Sequence, residues 1–277
     1  MKKLLALTLT VIMAAAMLVG CGNKPGDNSA APQDAAKTES DLAYITNKGK
    51  LTIGMTIFAP MNYYDENNEL VGFEVDFGKV VCEKLGVEPE FVEINWDAKE
   101  VELNAKNIDC IWNGMTITDE RKTNMSVSNA YMTNKQVMVA KKDKAEGYKA
   151  SAAGALVVAE AGSAGEELAT ENAFFADADF TAVDSMAKAL MDVASGTSDV
   201  AIVDYVTSIG SIGEGTDYED LVVVDAADFN AEEYGIAFRK GSDVTEKVNS
   251  IISELVADGT LAEIAAKYKL DGVLSAK

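Results

Sequence analysis

From residue 50 onward, short apolar runs alternate with stretches whose apolar residues recur at helical spacing. The runs at 51–55, 90–94 and 108–112 are short and partly β-branched, which predicts buried strands. Between the first two, Phe73, Phe77, Val80, Val81 and Leu85 share one helical face and Gly86 supplies the stop, so a helix is expected over 73–85. A short lead-in helix is expected over 41–50, a polar turn over 63–70 and a helix over 97–106. A strand at 136–140 and a charged loop at 141–151 follow. A second series then begins: strand 156–159, a helix opened by the capping box Ser163 to Glu166, helix 185–194, strand 199–203 ending at Asp204, and strand 221–224. A strand over 234–241 and amphipathic helices over 244–258 and 261–269, parted by Gly259, end the pattern.

The order β-α-β-α-β predicts a parallel sheet with helices on both faces, and ligands in such sheets sit beyond the carboxyl ends of strands. In the first series those ends are 54–60, 94–96 and 113–118. The two series rhyme: a helix, a turn, Asp109 and a buried strand in one, and a helix, a turn, Asp199 and a buried strand in the other. Both aspartates read as structural turn acids, and the rhyme suggests two similar lobes.

The beginning of the chain follows another rule. Lys2 and Lys3 precede an apolar run over 4–19, which reads as a secretory signal peptide over 1–20, although the run is almost long enough to span a membrane. Leu18-Val19-Gly20-Cys21 resembles the bacterial lipoprotein cleavage box. That resemblance implies that Cys21 is acylated and becomes the mature N-terminus, giving an extracytoplasmic protein held to the cell membrane by lipid. Residues 21–40 are rich in Gly, Asn, Ser, Ala, Pro and charge and read as a flexible tether with an r.m.s. span of roughly 25 Å.

Composition narrows the chemistry. The 277 residues suit one or two lobes, and 48% are hydrophobic, enough for a full core. A formal charge of −21 argues against nucleic acid as a partner. There is no histidine, which removes the usual general base, the commonest zinc ligand and the Ser-His triad. The three cysteines form no C-x-x-C, and no metal or other cofactor is expected. Export would permit a disulfide between Cys82 and Cys110, but both fall on buried faces, so two free thiols are the expectation.

The chemistry concentrates at the end of the 108–112 strand. Asn113 and Gly114 follow it, Gly114 letting a backbone or ligand approach closely. Met115 and Thr116 lead to Thr118, a fitting N-cap for a short helix that carries Arg121. A guanidinium fork, a hydroxyl and free backbone N–H groups in one small volume hold a carboxylate well. The same residues would also suit an ordinary strand-to-helix turn with a surface arginine.

Residues 72–76 (Gly-Phe-Glu-Val-Asp), 108–111 (Ile-Asp-Cys-Ile) and 115–121 (Met-Thr-Ile-Thr-Asp-Glu-Arg) recur in an order that resembles the polar amino-acid substrate-binding proteins of ATP-binding-cassette importers, extracellular solute-binding protein family 3. The resemblance covers about 51–270, and the Thr-Ile-Thr-x-x-Arg piece is its most specific part. It implies a type II periplasmic-binding-protein-like fold: two α/β lobes, each a mixed, mostly parallel sheet flanked by helices. Two hinge crossings would fall near 131–135 and 232–236. The lobes would be 41–132 with 235–277, and 133–234. It also implies a monomer that passes an amino acid to membrane permease subunits.

The same resemblance assigns roles. Arg121 and Thr116 match the ligands of the amino acid's carboxylate, with Gly114 and its neighbours Asn113 and Met115 supplying the loop. Asp204 matches the acid that takes the ammonium. Ser163 opens a helix whose free N–H groups attract an anion. Ala164 departs from the hydroxyl often found at its place. Phe58 and Trp96 match the aromatic pair that sandwiches the ligand's side chain, although core packing is the commoner fate of such residues. Glu160 stands where the family varies with specificity. It disfavours an acidic ligand, while the absence of an acid near Met55 and Thr56 departs from binders of basic amino acids, so neutral polar and basic ligands both stay open.

Two rivals use the same scaffold. A dehydratase of aromatic amino-acid precursors would need a general acid or base, and only Glu160, Asp204 or a tyrosine could serve. The sensor domain of a signalling receptor is the less expected, since no spanning segment follows Lys277 or precedes the tether in this sequence.

Overall fold

A computed structural model describes residues 40–226 and 229–275. The signal peptide expected over 1–20, the acylated Cys21 and the tether up to residue 39 lie outside the described residues. Ser40, expected as the tether's last residue, instead caps the first helix, Asp41–Lys48: its hydroxyl accepts from the Ala43 N–H and donates to Asp243. Among the described residues no helix is long and apolar enough to cross a membrane.

The strands form two main sheets. The first runs Glu88–Glu93, Lys50–Met55, Cys110–Ile111, Ala237–Arg239, Met125–Val127. Lys50–Met55 is parallel to both neighbours, and only Ala237–Arg239 runs against the rest. The second runs Leu221–Val223, Met132–Lys141, Val200–Asp204, Leu156–Glu160, Asp179–Val183, with Ala231–Tyr234 paired to the beginning of Met132–Lys141. There, only Met132–Lys141 is reversed. Each lobe therefore has the mixed, mostly parallel sheet of the type II fold.

Helix Phe73–Leu85 buries Phe73, Val75, Phe77, Val81 and Cys82 and ends at Gly86 in the left-handed region. Phe77 meets the Trp112 ring edge-on at 4.8 Å. Each large apolar side chain buried this way contributes about 1.5–3 kcal/mol relative to exposure. The last helices, Val244–Ala257 and Thr260–Lys267, pack on Phe73–Leu85 and so return the chain to the first lobe. Cys82 and Cys110 are buried free thiols, held above the ordinary thiol range by burial.

The rhyme in the sequence has a physical basis. The Asp109 carboxylate accepts from the Thr52 N–H at 2.8 Å while its own N–H donates to the Thr52 carbonyl. Asp199 does the same with both backbone groups of Leu156. Each aspartate ties the opening of one strand to that of its parallel neighbour.

Several boundaries differ from expectation. The strand expected over 234–241 is two strands in two sheets, Ala231–Tyr234 and Ala237–Arg239. The chain crosses at Gly235, where a Cβ would lie 2.8 Å from Val127 and 2.9 Å from Ile117. The strand expected at 136–140 begins earlier, at Met132, because residues 132–135 pair with 231–234. These paired segments are the two crossings between the sheets. The helix expected over 97–106 is a 3₁₀ turn, Trp96–Ala98, followed by Lys99–Asn104. The polar turn at 63–70 is a small hairpin, Tyr63–Tyr64 with Leu70–Val71.

Candidate ligand-binding cleft

The loop after Cys110–Ile111 is fixed from three sides. Asn113 joins it to the end of the first strand: its Oδ1 accepts from the Thr56 N–H and hydroxyl, and its Nδ2 donates to the Thr56 carbonyl. Gly114 has φ 55°, and a Cβ there would lie 2.4 Å from the Phe58 ring. Its N–H donates to Glu74 Oε1 at 2.8 Å. On the third side the Ile117 N–H donates to the Glu233 carbonyl, and Gly235 donates to that of Met115, so the loop leans on the crossing strand.

Glu74 had no assigned role, although it belongs to the Gly-Phe-Glu-Val-Asp motif. It is buried and accepts from Gly114 N–H, the Tyr131 hydroxyl and Asn62 Nδ2. Burial pushes it up to about 7 against the pull of those hydrogen bonds. Its sequence signal is an acid set among Phe73, Val75 and Phe77 at the beginning of a helix.

Arg121 lies on Asp119–Asn124, whose N-cap is Thr118: the hydroxyl accepts from the Arg121 N–H at 3.1 Å. Arg121 is 5% exposed. Nη1 donates to the Thr116 carbonyl at 2.8 Å, and Nη2 reaches Glu167 of the other lobe at 3.0 Å. In that lobe Ser163 caps Ala164–Glu171 by accepting from the Glu166 N–H. The expected capping box is displaced by one residue, since Glu166 reaches back to the Gly162 N–H and not to that of Ser163.

These loops close on a narrow cleft with about 10 Å³ open to the centre of a water-sized sphere, room for about one water as it stands. The first lobe contributes Trp96, Asn113, Gly114, Thr116 and Arg121 to its wall. The second contributes Glu160, Ser163, Ala164 and Asp204, together with Met186, which sequence reading did not single out. Two expected residues are not on the wall. Phe58 stands behind Gly114 and lines a neighbouring groove. The Met115 side chain packs into the first-lobe core with Leu103, Ile108 and Met125, because alternation along the loop turns it away from Gly114 and Thr116.

Two buried acids, Glu160 and Asp204, line the cleft, and Glu232 lies behind Asp204. Asp204 accepts from Gln136 Nε2, and that amide also donates to Glu232 at 2.7 Å. Burial, and then the charge of Glu232, pushes Asp204 up to about 7, opposed by the Tyr234 hydroxyl and the Gln136 and Asn134 amides. Glu232 is raised as well, chiefly by burial. Glu160, 2% exposed, is pushed up to about 8 by burial; the Thr56 hydroxyl and Lys99 oppose this and Asp204 adds to it. Lys99 is lowered to about 8 by burial and by Arg121. Glu232, Gln136 and Lys99 carry no local sequence signal of a site. Among the described residues no group of acids and thiols could hold a metal ion.

A cleft walled by a buried guanidinium on one lobe and a buried carboxylate on the other would, once opened, suit a small zwitterion. Comparisons with known proteins identify the family. Residues 51–271 match the model of the bacterial extracellular solute-binding proteins, family 3. The L-cystine-binding protein TcyA of Bacillus subtilis is 31% identical over 271 residues, covering 96% of this chain and 97% of that protein. The arginine-binding extracellular protein ArtP of the same organism is 30% identical over 229 residues, covering 80% of this chain and 87% of its own. A substrate-binding protein of an ABC uptake transporter from Streptococcus pneumoniae, solved with bound histidine, superimposes with a TM-score of 0.76 at 29% identity, covering 85% of this chain and 98% of that one. These relatives are named for binding, and this chain is a binding protein and not an enzyme. It belongs to the bacterial extracellular solute-binding proteins, family 3.

Proposed function

We propose that this protein is the lipid-anchored receptor of an ABC importer, which captures an amino acid between its lobes and delivers it to membrane permease subunits. The observation that carries the reading is that Arg121 and Asp204, from different lobes, wall one cavity. Arg121, Thr116 and the N–H groups at the Ser163–Ala164 helix start would hold the carboxylate, and Asp204 the ammonium. Trp96 would lie along the side chain, with Phe58 supporting the loop from behind Gly114. The lobes would be 41–132 with 235–277, and 133–234, turning about the paired crossings, so that a ligand touching both favours closure. Acylation of Cys21 and a tether over 21–40 would keep the receptor at the membrane while leaving it free to turn toward the permease.

A thermal-shift screen of the full chain against the common amino acids tests this reading. Only a ligand that prefers the folded state raises the midpoint, by an amount that grows with its concentration over Kd. At least one amino acid is expected to do so; a midpoint that none of them moves would overturn it.

A further inference from the structure

The zwitterion of an amino acid uses one cation and one anion of the cavity wall, Arg121 and Asp204. Glu160 is then left over. It lies on the same wall, is 2% exposed, and its Oε1 is buried with no hydrogen-bond partner. The neighbouring groups do not fill that deficit. The hydroxyl of Thr56, which opposes the rise of Glu160, has a single hydrogen, and Asn113 Oδ1 at 2.8 Å competes for it. The ammonium of Lys99 donates to the carbonyls of Gly162 at 2.8 Å and Trp96 at 3.2 Å. The other charge close to Glu160 is Asp204, a second acid, which adds repulsion.

A buried carboxylate with an unmet oxygen costs free energy until a donor, best of all a cation, reaches it. The surroundings suit a methylene stem that ends in such a cation. Trp96, whose ring already carries the Lys99 ammonium at 5.0 Å, would add the edge or second face of its indole to a ligand stem, and Met186 a soft thioether on the same wall.

Resting on the receptor reading above, we propose that the ligand is an amino acid with a cationic side chain, whose charged end is taken by Glu160. An acidic side chain would bring a further acid to a wall that already carries Glu160 and Asp204, and no cation to either. A neutral one would leave Oε1 unmet or meet it with an uncharged donor, without the ion pair.

Matched pairs of ligands isolate the charge: arginine against citrulline, and lysine against norleucine, each titrated calorimetrically into the full chain and into Glu160→Gln. For the native chain, the cationic member of at least one pair is expected to bind about a hundredfold tighter than its neutral partner. In Glu160→Gln that preference is expected to shrink to about threefold or less, mainly by weaker binding of the cation. The ligand-free melting temperature of the variant should not fall, because the substitution removes an unpaired buried acid. The proposal is overturned if the preference survives in Glu160→Gln. It is also overturned if citrulline, norleucine, glutamine or cystine binds the native chain as tightly as arginine and lysine; in that case the receptor reading stands alone. If no amino acid binds, both fall together.

Discussion

The Lys99 ammonium donates to the Gly162 carbonyl at 2.8 Å, bonding a helix packed on the first sheet to the turn that follows a strand of the second. The contact is close on both sides: a Cβ on Gly162, where φ is 70°, would lie 2.8 Å from Asp97 Cα. Here the lobes meet closely one residue before Ser163, so this contact is one place to disturb closure.

Gly162→Ala should hold the lobes apart. Both the left-handed backbone and the lack of space oppose the methyl group. The expected result is a Kd about tenfold or more weaker, with a ligand-bound radius of gyration by X-ray scattering larger than that of the native protein. An alanine variant that closes and binds normally would remove this contact from the closure mechanism.

Glu74 anchors the binding loop from below. Replacing it with Ala strips the Gly114 N–H, the Tyr131 hydroxyl and the Asn62 amide of their acceptor in a buried place. The expected loss is about 2–4 kcal/mol of stability, read as a lower urea midpoint. Glu74→Gln keeps an oxygen for Gly114 and Tyr131 and should lose less. Equal losses in the two variants would show that packing, not the hydrogen bonds, is what Glu74 provides.

Burial places Glu74 at about 7, Glu160 at about 8 and Asp204 at about 7. All three lie above their unfolded values, so their contribution has the opposite sign to that of an ion-paired carboxylate. Below about pH 4 both states hold these protons. As pH rises toward 8 the unfolded chain releases them first, and stability falls. Carboxylates held low, such as Asp76 and Asp199, have already ionised in both states by pH 5 and do not offset this fall. The ligand-free urea midpoint should therefore be lower at pH 8 than at pH 5.5, with a smaller difference in Glu160→Gln. A midpoint that rises over this range in the native chain would contradict the burial assigned to these acids.

Features set by neighbouring residues were legible in the sequence. The Phe73–Leu85 helix follows from its spacing and Gly86, and the Thr118 cap carrying Arg121 follows from three consecutive positions. Asp109 and Asp199 read as turn acids from their place between a helix and a strand, but the strands they bond, at Thr52 and Leu156, lie 57 and 43 positions away and were not legible. What escaped depends on pairing across distance. Gln136 and Glu232 are brought together by residues 132–135 running against 231–234, almost a hundred positions away. The apolar run at 234–241 reads as one strand because periodicity cannot register a change of sheet at Gly235. Met115 shares the motif with Thr116 but points the opposite way, into the core, and only the backbone direction of the loop decides that.

The most direct test of the central claim is a calorimetric titration of Arg121→Ala with the amino acid that raises the native midpoint most. The guanidinium is buried on the cavity wall and is the cation assigned to the ligand's carboxylate. Binding should weaken by about a hundredfold or more, while the far-ultraviolet spectrum and cooperative melting show an intact fold. A folded Arg121→Ala variant that binds with native affinity would contradict the account.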